Sequence, residues 1–193
     1  MRVRKHRSPG RGTWSDHVDT SLYVVGVLWI VFALDALLAL DLRFLGIVPR
    51  NVVGLRGILF APFLHAGLGH IVANSGALFF LLLVALLYSR RLTRIALIMT
   101  SLLSNTAVWL LGPAGSVHIG ASGVIFGLIG FLSAVGFSRG DRRSIFVTLM
   151  VLLLYGGAIL SLGQRVPGVS WQMHLAGFIS GVLCARWTRR LRR

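Results

Sequence analysis

One hydroxyl stands in the small-residue turn Gly120-Ala121-Ser122-Gly123, which opens an apolar segment running to about Phe137. Serine is a weak nucleophile at its own pKa: it needs a base to take its proton and donors to hold the oxyanion its attack creates. The sequence offers both. His174 is an imidazole base, and His70 and Asn74, spaced i and i+4, project from one helical face with side-chain donors. Ser122 falls at a helix start, where free backbone N–H groups favour negative charge. Of the acids Asp16, Asp19, Asp35, Asp41 and Asp141, only Asp35 lies within an apolar run, and no motif ties it to His174. The expectation is a Ser122–His174 dyad without a third member.

Each of these residues also has a structural role open to it. A lone serine in a membrane helix commonly hydrogen-bonds its own backbone. His70 and Asn74 equally suit a hydrogen-bond pair tying one helix to a neighbour. Asp35 suits a buried helix–helix hydrogen bond better than a proton relay, because no second acid completes a relay. His65 and His118 fall in loops, with structural or solvated roles.

The elements that position these groups follow from composition. The chain has 193 residues, 55% of them hydrophobic, and twenty Lys and Arg against five Asp, with no Glu. A soluble core needs more polar cover than this, and lipid is the alternative solvent. The net charge of +15 does not point to nucleic acid, because the basic residues form short clusters between apolar runs and no basic face or zinc spacing accompanies them. Cys184 is the one cysteine and lies in an apolar run, which excludes an internal disulfide or a cysteine metal cluster. No metal or cofactor is expected.

Apolar stretches at about 21–40, 69–88, 95–112, 122–138, 144–162 and 171–187 approach the roughly 17–25 residues that cross a bilayer as a helix. The expected fold is all-α: a membrane domain over 21–188 with six transmembrane helices, preceded by a basic tail at 1–20 and followed by another at 189–193. The first apolar run is long and lacks a small-residue cleavage site, so it reads as an uncleaved anchor. Sixteen of the twenty basic residues fall on one side: five in the first tail, three at 90–94, three at 139–143 and five near the C-terminus. The excess of positive charge puts both termini in the cytoplasm. The segment 42–64 is apolar but broken by Pro49, Pro62 and glycines, and is expected in the outer interface.

In that topology spans two, four and six all enter from the outer face. His70, Asn74, Ser122 and His174 then share one depth. Gly120, Gly123, Gly127 and Gly130 follow a helical 3-4-3 spacing, as do His174, Gly177, Gly181 and Cys184, and small faces let membrane helices approach closely. Spans four and six are therefore expected to touch.

The set Gly120-Ala121-Ser122-Gly123, His174 with Gly177 and Gly181, and His70-x-x-x-Asn74, in order on three spans, resembles the rhomboid family of intramembrane serine proteases. The resemblance covers about Arg43 to Arg186. It implies a six-helix rhomboid-like bundle in which Ser122 is the nucleophile and His174 the general base and acid. His70, Asn74 and the Ser122 backbone N–H would form the oxyanion hole, with Phe126 packing near His174. It also implies membrane-anchored protein substrates, cut in or beside their transmembrane segment, in contact with membrane lipids. Arg56 matches the arginine of the family's Trp-Arg pair, although Leu55 stands in the tryptophan's place, and the glutamate often found after span two is missing.

Two other classes compete. A catalytically silent rhomboid relative would bind or move transmembrane clients, but such relatives generally lack the serine or histidine. A small-solute transporter would show inverted repeats, and the two halves share none. The Arg-rich composition suits a bacterial plasma membrane.

Overall fold

A computed structural model describes residues 12–165 and 168–189 of the chain. Among the described residues the fold is helical: α1 (Trp14–Leu38), a short α2 (Gly57–Phe60), α3 (Leu68–Leu111), α4 (Ser122–Arg139), α5 (Arg142–Leu160) and α6 (Trp171–Arg189). Four of these, α1, α3, α4 and α5, are long and apolar enough to cross a membrane. α6 is as long as α5 but more polar, with Gln172, His174 and two arginines in its last turn.

α3 has 44 residues, about 66 Å at the helical rise and twice a bilayer core. It is interrupted at Ser89, whose φ of −166° and ψ of 110° are extended. The limbs 68–88 and 90–111 correspond to the second and third expected spans. Ser89 restarts the helix, its Oγ accepting the Leu92 N–H at 3.4 Å and its carbonyl the Thr93 hydroxyl at 2.9 Å.

α4 is the axis of the bundle, with 72% of its apolar stretch buried. Phe131, Leu128, Ile129, Leu132 and Val135 along it are at most 1% exposed. Helix directions can be read from the glycines. A β-carbon on Gly177 would strike the Gly123 carbonyl, and one on Gly181 the Gly127 carbonyl, so α4 and α6 run parallel with backbones in contact. Gly123 lies against Ser104 and Gly127 against Thr100, so limb 90–111 runs antiparallel to α4. α5 returns along α4, where Thr148 donates to the Leu132 carbonyl at 2.7 Å and accepts the Gly136 N–H at 2.8 Å. α1 sits outside the bundle, joined to limb 68–88 by Trp29 Nε1 donating to Ser75 Oγ at 2.9 Å.

Four expectations need correction. The first helix begins at Trp14, inside the stretch assigned to a polar tail, because Thr13 and Asp16 form a reciprocal capping box. Among the described residues Asp35 makes no helix–helix bond; its Oδ1 accepts the Leu42 N–H at 2.8 Å and holds the turn that leaves α1. Gly120 lies before α4, in the turn. Gly123 and Gly127 make room mainly for limb 90–111, while Gly130 admits the Phe178 carbonyl of α6. Residues 1–11 of the expected N-terminal tail and 190–193 of the C-terminal tail lie outside the described residues.

The segment 42–64 folds into short turns with many apolar side chains exposed, Val52 and Leu59 among them. Its backbone is pinned to the bundle. Ile47 and His118 exchange N–H···O bonds at 2.9 Å, Asn105 donates to the Ile58 carbonyl at 2.9 Å, and the Gly120 N–H reaches Ala61 at 2.8 Å. Arg56 stays anchored without a neighbouring tryptophan: its guanidinium donates twice to the Phe44 carbonyl and lies 4.8 Å from the centre of that ring.

Candidate active site

Ser122 is the first residue of α4, with Ala121 as its cap. No intrahelical acceptor exists for the N–H groups of a helix's first turn, so those of Ser122 and its neighbours are available. The turn before it depends on Gly120, whose φ of +116° is left-handed and whose missing β-carbon would lie 2.7 Å from His70 Nε2 and 3.5 Å from Asn74 Nδ2. A glycine satisfies both demands. His70 and Asn74 therefore converge on the serine turn from limb 68–88, as their spacing predicts.

Among the described residues the buried Asn74 amide nitrogen has no hydrogen-bond partner. Leaving a buried donor unpaired costs about 1–3 kcal/mol, so an amide held this way has a reason to be there. His70 Nδ1 accepts from the Ala66 N–H at 3.5 Å, which places the remaining ring proton on Nε2, the nitrogen beside Gly120.

His174 enters from α6. The contact of Gly177 on Gly123 seats it one turn above, and its ring stacks on Phe126 with centroids 4.1 Å apart and planes inclined by 15°. Phe126 lies one turn after Ser122, so the stack holds the imidazole over the first turn of α4. Among the described residues, neither the Ser122 hydroxyl nor the His174 ring has a hydrogen-bond partner. Both groups line one cavity of about 1250 Å³, together with His70 and Asn74, and Arg43, Arg165 and Trp171 also contribute to its walls. A cavity of this size admits water.

Two histidines that the sequence left undecided prove structural. His65 is 4% exposed, and its ring meets His70 edge-on at 5.0 Å. Burial, with the nearby His70 adding to it, pushes its pKa down to about 4, against a weaker upward pull from Phe63, so it supports His70 as a neutral ring. His118 accepts or donates between Ser116 at 2.7 Å and Ser170 at 2.7 Å, joining the loop before α4 to the residue before α6. Burial lowers its pKa as well. Sequence reasoning missed this strut, because its members lie 52 residues apart and share no motif.

The chain matches the family model for the rhomboid domain over residues 54–191. It is similar to an uncharacterized protein of Mycobacterium tuberculosis, 40% identical over 91% of this chain and 76% of the relative. A Mycobacterium leprae protein, also uncharacterized, is 41% identical over 86% of this chain and 69% of its own length. A Bacillus subtilis protein provisionally named a rhomboid protease is 28% identical over 62% of this chain and 60% of its own. With apolar helices long enough to cross a bilayer and a family match over most of its length, the chain is an integral membrane protein and belongs to the rhomboid family.

Proposed function

We propose that the protein is an intramembrane serine endopeptidase that cuts membrane-anchored proteins in or near their transmembrane segments. The observation that carries this reading is the stack of His174 on Phe126 above the Ser122 turn. It brings a base to the wall of the cavity that holds a helix-start serine and an unpartnered amide donor.

In the reaction His174 takes the Ser122 proton as Oγ bonds to the scissile carbonyl carbon, giving a tetrahedral oxyanion. The Ser122 N–H, Asn74 Nδ2 and His70 Nε2 donate to that oxygen. His174 then gives the proton to the leaving amine as the C–N bond breaks. Water, deprotonated by the same imidazole, attacks the acyl carbon, and the imidazolium returns the proton to Ser122 Oγ as the ester C–O bond breaks and the carboxylic acid product leaves. The serine–histidine hydrogen bond forms as substrate closes the cavity, since such bonds are often long in unliganded sites.

Six spans with both termini in the cytoplasm of a bacterial plasma membrane fit this function. The cavity then opens near the outer face, beside the interfacial segment 42–64. Phe126 would wall the cavity against the histidine, Gly123, Gly127, Gly177 and Gly181 serve helix packing, and Gly120 shapes the turn before Ser122.

The test is cleavage of fluorescent single-span reporters in liposomes by wild type, Ser122→Ala and His174→Ala, with a serine-reactive phosphonate as probe. Cutting and labelling by wild type alone support the peptidase. A wild type that cuts none of a varied panel and leaves Ser122 unlabelled would make the silent, client-binding relative the better reading.

A further inference from the structure

At the far end of α4, about 25 Å from the serine along the helix, a second cavity of about 210 Å³ is walled by Tyr88, Ser89, Arg91, Arg139, Asp141 and Arg143. Three guanidiniums share it with one carboxylate. Both Asp141 oxygens are engaged by Ser144, one accepting its N–H at 3.0 Å and the other its hydroxyl at 2.6 Å. The Tyr88 hydroxyl also bonds Ser144 Oγ, at 2.8 Å. Its ring lies 5.9 Å from the Arg139 guanidinium and 5.8 Å from that of Arg143, which also donates to the Leu87 carbonyl. Among the described residues the Nε of Arg139 is buried without a hydrogen-bond partner.

The break at Ser89 adds a backbone contribution. Because the helix restarts there, the N–H groups of Arg90 and Arg91 fall where intrahelical acceptors are missing, that of Leu92 is taken by Ser89 Oγ, and Ser89, Arg91 and Leu92 line the same cavity. We infer that this cavity is a binding site for a phosphate group, carried by an anionic lipid headgroup or present as free phosphate. A tetrahedral anion can accept from donors arriving on different sides, and arginine forks match phosphate oxygens in pairs. The volume suits a phosphoryl group with its nearest atoms and excludes a whole glycerolipid. Exposed Phe137 and Phe146, two and three residues from Arg139 and Arg143, offer apolar surface for acyl chains outside the cavity. Basic pockets between membrane helices bind headgroups in this way.

The full-length protein in detergent, as wild type, Arg91→Gln, Arg139→Gln and Arg94→Gln, would be examined by native mass spectrometry with dioctanoyl phosphatidylglycerol and dioctanoyl phosphatidylcholine. A parallel thermal-shift series would use inorganic phosphate against chloride at equal ionic strength. Wild type should bind phosphatidylglycerol or inorganic phosphate, with affinity about tenfold weaker in Arg91→Gln and Arg139→Gln and unchanged in Arg94→Gln, whose arginine is not in the cavity wall. Retention of phosphatidylglycerol with no response to inorganic phosphate identifies a lipid headgroup; a response to inorganic phosphate alone identifies the free anion. Arg91 is exposed, so its variant should keep the unliganded melting midpoint and decides the matter if Arg139→Gln fails to fold. The site is refuted if neither probe outperforms phosphatidylcholine and chloride, or if Arg94→Gln weakens binding as much as Arg91→Gln. No cleavage is read, so the outcome is independent of the peptidase assay.

Discussion

α4 and α5 are neighbours of nearly equal length and similar apolarity, yet 72% of one apolar stretch is buried and only 22% of the other. α4 carries glycines that let limb 90–111 and α6 reach its backbone. α5 presents Phe146, Leu149, Leu153 and Leu160 outward, Leu153 at 85% exposure. Its own Gly156 and Gly157 have nothing within contact distance of a β-carbon. The contrast separates two meanings of a hydrophobic residue in a membrane protein. Where lipid is as apolar as leucine, close approach of small residues decides which helix lies inside.

Substitutions on the two helices test the contrast. The largest effect should come from Ser122→Ala: on the peptidase reading, reporter cleavage falls by about 10⁶-fold. The unfolding midpoint should stay within error, since only an unpartnered hydroxyl is lost. Next, Gly181→Leu forces a side chain into the Gly127 carbonyl. A stability loss of about 3 kcal/mol, read by denaturant titration in detergent, should accompany loss of activity; an unaffected variant would contradict the α4–α6 seam. Third is Thr148→Val, at a buried polar joint between α4 and α5. It removes both bonds of the hydroxyl and strands the Gly136 N–H, costing about 1–2 kcal/mol. Smallest of all, Leu153→Ala on the exposed face of α5 should change stability by less than about 0.5 kcal/mol. A loss near 3 kcal/mol there would mean that a partner, and not lipid, covers that face.

Acid provides one further test, on the loop that supports His70. The folded protein holds the His65 pKa at about 4, while an unfolded chain protonates it near 6.5. Between those values the unfolded state binds more protons, so stability is intact above about pH 6.5 and declines as pH falls towards 4. The slope is at most about 1.4 kcal/mol per pH unit from this residue. Thermal midpoints measured across that window should fall less steeply in His65→Phe, which keeps a ring without the titration, the remaining slope coming from other buried histidines such as His118.

Much of this architecture was legible in the residues because the membrane leaves few alternatives. Long apolar runs must become helices, and the glycine spacing of α6 brought its partner helix with it. His70 and Asn74 were legible as a pair because four residues make one helical turn. The start of α1 was not, since a capping box at Thr13 and Asp16 looks like ordinary tail polarity until the helix is seen. Asp35 was misjudged because a carboxylate near a helix end can serve a loop as easily as a neighbouring helix. The His118 strut depends on loops whose paths are set by tertiary contacts, where periodicity carries no information.

Parallel packing of α4 and α6 has an electrostatic result. Their N-terminal ends, at Ser122 and Trp171, and that of limb 68–88 all contribute walls to the larger cavity. Each helix start carries about half a positive charge from its aligned peptide dipoles. His70, Asn74, Ser122 and His174 therefore lie in a positive potential that belongs to the backbone and cannot be mutated away. On the peptidase reading, transient negative charge on a bound carbonyl would be favoured there before any side chain moves.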